Sequence, residues 1–136
     1  MTAQAARLAP ALVLAVGIIV LVGGEAAASP AVARAAVHHI TGTAGNSGQL
    51  LCGVTTHTKG LPGSISMVLN HAPAGRLLVR LQNAKNGKYF GEQKMVTAGK
   101  TTAILVNDVL ADTQFHVCAA SPSASPSGPY DADLSY

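Results

Sequence analysis

The sequence has no tryptophan, two phenylalanines, three tyrosines and two cysteines, and its nine Lys or Arg against six Asp or Glu leave a formal net charge of +3. Each scarcity excludes something. The basic residues Lys59, Arg76, Arg80, Lys85, Lys88, Lys94 and Lys100 stand singly with few aromatics among them, so the charge stripes and stacking platforms that hold nucleic acid are missing. Two cysteines do not make a thiolate zinc set. Beyond the N-terminal region the acids are Glu92, Asp108, Asp112, Asp131 and Asp133, and no serine sits in a G-x-S-x-G elbow, so neither a carboxylate pair nor an activated nucleophile stands out. The expectation is a protein that is not an enzyme, with no catalytic residue, no cofactor and no metal.

Gly99-Lys100-Thr101 imitates the end of a phosphate-binding loop. The loop's first glycine falls at Lys94, where a side chain closes the backbone conformations that wrap a phosphate. The polar stretch before it does not read as the buried strand such a loop leaves. Ala98-Gly99-Lys100 is therefore expected as a turn between two strands.

What is present begins with a hydrophobic run, ALVLAVGIIVLV at residues 11–22. It is shorter than the roughly 20 residues that cross a bilayer, and small residues follow it. Residues 1–28 read as a secretory signal peptide, cleaved after Ala28 or Ala33. The alternative is an uncleaved segment anchoring an extracytoplasmic domain, and only that reading gives the chain a membrane contact. In an oxidising compartment Cys52 and Cys118 are expected to form a disulfide. Closing so long a loop stabilises a fold by roughly 4 kcal/mol on the chain-entropy account.

Residues 36–120 read as one all-β domain of seven or eight strands, a single antiparallel β-sandwich. Residues 36–41 form a first strand, followed by the glycine-rich loop GTAGNSG. In residues 49–56 the alternation places Cys52 on the more buried face. Ile65, Met67 and Leu69 define the next inward face, and Leu77, Val79 and Leu81 the one after. Lys85-Asn86-Gly87-Lys88 predicts a hairpin with a two-residue type I′ turn, which brings Phe90 onto the face of Leu81 and Val79. Continued unchanged, that register points Met95 outward, and a bulge at Gly91 would switch the phase. Residues 101–106, apolar on both faces, are expected as a central strand, with a helix over 101–111 as the alternative. Phe115, Val117 and Ala119 share the inward face of the last strand.

The stretch Val109 to Val117 resembles the corner leading into the penultimate strand of fibronectin type III domains, with Ala111 where proline stands there and Phe115 where tyrosine stands. The Cys52–Cys118 spacing is similar to that of immunoglobulin domains, although the core tryptophan and the tyrosine two residues before the second cysteine are absent. The resemblance implies an immunoglobulin- or fibronectin-like sandwich architecture. Residues 121–136, with three prolines among serines, are expected as a disordered tail.

Five histidines are the commonest chemistry-capable residues, but none lies in an H-x-x-x-H or H-E-x-x-H spacing, and His38 and His39 point to opposite faces of a strand. The functional expectation is a secreted or envelope-associated binding module acting through loops and strand edges. Its candidate binding residues are Lys85, Lys88 and Tyr89 on the hairpin. Its expected partner is a cell-envelope component, a polysaccharide or an extracellular protein. A protease inhibitor or toxin-like effector presenting residues 59–63 is the alternative.

Overall fold

A computed structural model describes residues 35–136; the signal peptide expected at residues 1–28, with its cleavage sites, lies outside them. Nine strands follow one another: β1 (Val37–Ala44), β2 (Leu51–Cys52), β3 (His57–Thr58), β4 (Gly63–His71), β5 (Arg76–Asn83), β6 (Tyr89–Thr97), β7 (Ala103–Val109), β8 (Gln114–Ala120) and β9 (Gly128–Ser135). Every strand pairing is antiparallel. One sheet runs β1-β9-β4-β7, and the other β2-β8-β5-β6 with β3 also paired to β8. The two sheets pack into a β-sandwich, as the alternation of apolar and polar residues predicts.

The core is built from the inward sets read in the sequence. Ile65, Met67 and Leu69 of β4, Leu77, Val79 and Leu81 of β5, and Phe115, Val117 and Ala119 of β8 are all buried. Each large apolar side chain so placed stabilises the fold by roughly 1.5–3 kcal/mol. Phe90 lies directly opposite Leu81, on the expected face.

The last strand overturns the expected tail. Tyr130, Ala132 and Leu134 are buried between sheets, while Asp131, Asp133 and Ser135 alternate with them. β9 lies between β1 and β4, pairing with both. The Ser/Pro-rich stretch is only the connection into this strand. Pro129 is tolerated because its partner Thr43 turns its backbone groups away from β9 and β4 pairs no further than Asp131, so no ladder bond needs the missing N–H.

Other local expectations shift. Residues 49–56 do not make one strand: pairing breaks after Cys52 and resumes at His57. Cys52 is half-buried beside exposed Leu51 and Val54, on the more buried side of its strand as expected, yet that side faces away from the other sheet, since its partner Cys118 alternates with the inward Val117 and Ala119. The disulfide, spanning 66 residues, therefore ties neighbouring strands within one sheet, whereas that of immunoglobulin domains ties two sheets together. β7 is a strand rather than a helix, but it pairs only with β4 and forms an edge, leaving Ile104 exposed. The expected bulge occurs: three residues of β6, Gly91 to Gln93, oppose Arg80 alone. The shift spans an even number of residues, so the face does not change and Met95 remains outside, 46% exposed.

Candidate functional site

The two sheets part along the side where β1 ends one and β2–β3 end the other. Between these lips runs a groove of about 750 Å³. Ile40 of β1, Leu51 of β2, Val117 of β8 and the rings of Tyr130 and Tyr136 line it, together with threonines and histidines of β1 and of residues 55–57. At one end the groove closes, because β1 crosses to the second sheet. There Gly45 N–H donates to Ala119 O (3.1 Å) and Ser121 N–H to Gly45 O (2.6 Å).

Gly42 shapes the floor. It pairs with Tyr130, whose ring lies so close that a Cβ at Gly42 would come within 2.6 Å of the phenolic oxygen. The aromatic ring covers the glycine backbone from the neighbouring strand. Burial pushes the Tyr130 hydroxyl pKa above its ordinary value.

The open end is built around Tyr136. Its ring stacks on His38 with centroids 4.4 Å apart and meets Phe115 edge-on at 5.2 Å. Its hydroxyl shares a 3.0 Å hydrogen bond with His57 Nδ1. His57 is 8% exposed, and its pKa is lowered first by burial and then by the neighbouring imidazoles of His38 and His116. His116, on the opposite face of its sheet, donates from Nδ1 to Thr55 O at 2.9 Å. Among the described residues no three His, Cys, Asp or Glu side chains gather where they would hold a metal ion.

The backbone of β1 carries unused valences. Ala36 and Tyr136 exchange both N–H···O bonds, at 3.2 Å each. In an antiparallel ladder such pairs alternate, so His38, Ile40, Gly42 and Ala44 turn their backbone groups toward β9. Val37, His39, Thr41 and Thr43 turn theirs to the open edge. The strand has no Lys, Arg, Asp, Glu or Pro. The other edges are blunted: β6 bears Glu92, Lys94 and the Gly91 bulge, β7 has a left-handed Asp108 and register shifts, and β2 and β3 have two residues each. Charges, bulges and brevity keep edges from pairing; β1 has none of them. Leu51 (44% exposed) and Val54 (94% exposed) flank the same opening, and Val37 (66% exposed) stands at the start of the edge on the outer side of the sheet.

The sequence-derived site lies elsewhere, at the tip and outer face of the second sheet. The turn is not a two-residue type I′ loop. Ala84 to Gly87 form a four-residue connection closed by Asn83 N–H to Lys88 O (2.8 Å) and Gly87 N–H to Asn83 O (2.8 Å). Only Gly87 is left-handed (φ 72°), because the Asn83 side chain accepts from Lys85 N–H (2.8 Å) and Asn86 N–H (3.3 Å) and holds the loop by itself. Lys85, Lys88 and Tyr89 are all exposed. The Arg80 guanidinium lies over the Tyr89 ring at 5.1 Å, while its Nε donates to Gly91 O (3.1 Å). This cationic and aromatic surface is separate from the groove.

The loop suggested for protease inhibition does not present its lysine. Lys59 is 3% exposed, and its backbone is tied to Thr113 O and Asp112 N–H at 2.9 and 2.7 Å. Sequence reading also missed the tyrosines that build the groove. The signal was the alternation of Tyr130, Ala132, Leu134 and Tyr136 with Asp131, Asp133 and Ser135, hidden behind the Ser/Pro run.

No protein-family profile matches the sequence, and no curated protein matches it. Among solved structures, the chain is similar to a crystal structure of PirA at 15% identity, over 72% of this chain and 92% of that one, with a TM-score of 0.43. It is similar to a crystal structure of FLHE at 16% identity, over 76% and 98%, with a TM-score of 0.40. A third likeness is to a protein of Bacillus endospore appendages described as disulfide-linked pili, at 10% identity over 82% and 95%, with a TM-score of 0.38. At such low identity and overlap, none of the three says what this chain binds.

Proposed function

We propose that this chain is an exported, non-enzymatic binding module whose principal contact surface is the open edge of β1 and the groove behind it. The observation that carries the reading is the contrast between β1, a regular uncharged edge with four outward-turned residues, and the other edges, each blunted. An edge of that kind binds by adding a strand: main-chain hydrogen bonds supply affinity, and the pockets behind supply selectivity. The imidazoles lining the groove are engaged with Tyr136 and Asp133, which favours a packing role over catalysis. The Cys52–Cys118 disulfide supports an oxidising, extracytoplasmic location.

A photoreactive residue at position 41, in the chain produced by its own host, tests this. Cross-linked adducts at position 41 and none at position 104 on the β7 edge are the expected result. Absence of adducts at position 41 would sink the reading.

The hairpin gives a second reading. Lys85, Lys88, Arg80 and Tyr89 form a cationic and aromatic patch suited to an anionic envelope polysaccharide or protein. Replacing Lys85, Lys88 and Tyr89 by Ala should then weaken binding to isolated envelope polysaccharide at least tenfold. Unchanged binding would remove the hairpin from the account.

A further inference from the structure

The partner that fits the β1 edge most directly is another β1 edge. We propose that two copies of this chain associate by antiparallel β1–β1 pairing about a two-fold axis at Ile40, joining their β1-β9-β4-β7 sheets into one. The inference rests on the reading of β1 as an interaction surface and names its occupant.

The backbone decides the register. Only Val37, His39, Thr41 and Thr43 have outward N–H and C=O groups, so the hydrogen-bonded pairs of a two-fold ladder must come from these residues. Beyond Thr43 the same edge is already occupied, since Gly45 is bonded to Ala119 and Ser121. The register that uses all four residues pairs Val37 with the partner's Thr43 and His39 with the partner's Thr41. It sets Ile40 against the partner's Ile40 across the axis, on the groove side.

Charge agrees with that register. No Lys, Arg, Asp or Glu lies on β1, and the pairing confronts no like charges. His39, bonded to its own Asp133 at 2.9 Å, comes to stand beside the partner's Thr41, behind which lies the partner's Asp131. A shift that opposed His39 to the partner's His39 would instead set imidazole against imidazole, and it would leave part of the edge unpaired.

A second copy is favoured over a free peptide because its strand is already ordered. A β1 strand held on β9 by a full ladder gives up little backbone freedom on pairing, whereas a flexible segment must lose it residue by residue. The opposite lip cannot help a peptide much, since β2 and β3 are two residues each and the ladder is broken between them. Pairing through β1 also brings a second molecule over Val37, one of the most exposed apolar side chains.

Two charge variants test both the contact and its register. Val37→Lys with Thr43→Lys opposes lysines twice across the axis, while Val37→Lys with Thr43→Glu opposes lysine to glutamate twice. All these positions are exposed, so the fold should survive each change. Sedimentation of the oxidised domain over a concentration series should show a reversible monomer–dimer equilibrium. The Lys/Lys variant should self-associate at least about tenfold more weakly than the Lys/Glu variant. Amide exchange should slow at Val37, His39, Thr41 and Thr43 as concentration rises, and not at Ile40 or Gly42. A monomer at every concentration, equal association of the two variants, or slowing at the even positions overturns the proposal. A monomer that still yields foreign adducts at position 41 would discard self-pairing while leaving β1 as the binding edge.

Discussion

Cys52 and Cys118 sit directly opposite each other on neighbouring strands of one sheet, with Cα atoms 3.8 Å apart. They form a non-hydrogen-bonded pair, because the adjacent Gly53 donates its N–H to Val117 O at 2.9 Å. β2 has only two residues with which to hold itself on the sheet, so the disulfide fixes the groove's lower lip. Replacing both cysteines by Ala should lower stability by about 2–4 kcal/mol in equilibrium urea unfolding. It should also speed amide exchange in residues 51–58 ahead of the rest.

Tyr130 and Gly42 make a reciprocal pair across the other lip. Gly42→Val places side-chain atoms where the Tyr130 ring lies and should cost about 1–3 kcal/mol by overpacking. Combining it with Tyr130→Ala should cost less than the sum of the single changes, because the collision is gone. Thermal unfolding of the four proteins measures the coupling, and strict additivity would refute the contact.

β9 is expected to be indispensable. A chain ending at residue 127 removes Tyr130, Ala132 and Leu134 from the core and strips both β1 and β4 of a neighbour. It should lose its native near-ultraviolet dichroism, whereas trimming a disordered tail would leave that signal intact.

The stability of the fold should depend on pH through His57. Its folded pKa lies below the ordinary value of about 6.5, so below that value the unfolded chain binds more protons than the folded one. Stability therefore falls as pH drops below about 6.5, and His57's contribution levels off once pH is below the folded pKa. His57→Gln should flatten this part of the profile in urea unfolding at pH 7.5, 6.5 and 5.5. An unchanged slope would contradict the assignment.

Sequence periodicity revealed most of the sandwich because half-buried strands must alternate: β4, β5 and β8 show one polar and one apolar face, and their inward residues were legible. It misled where neighbourhood decides. β7 is apolar on both faces, yet it lies at an edge. The Asn86-Gly87 pair suggests a tight turn, but the Asn83 side chain supplies enough hydrogen bonds for a longer one. In β9 the inward residues include a tyrosine and an alanine, and the outward ones two aspartates, so a proline-rich approach masked a central strand. The groove was illegible for a further reason. Which strand ends a sheet, and which backbone groups remain unpaired there, follows from long-range order that local pattern does not encode. Lys85, Lys88 and Tyr89 were identified as exposed because a hairpin tip is defined locally.

The most direct test of the account is amide hydrogen exchange along β1, residue by residue, in the oxidised domain alone at low concentration and after mixing with the envelope fraction of its host. Strand addition at the open edge predicts slower exchange at Val37, His39, Thr41 and Thr43, with Ile40 and Gly42, already bonded to β9, unchanged. Identical exchange in the two samples, or protection confined to the Lys85–Tyr89 hairpin, would contradict the assignment of β1 as the binding surface.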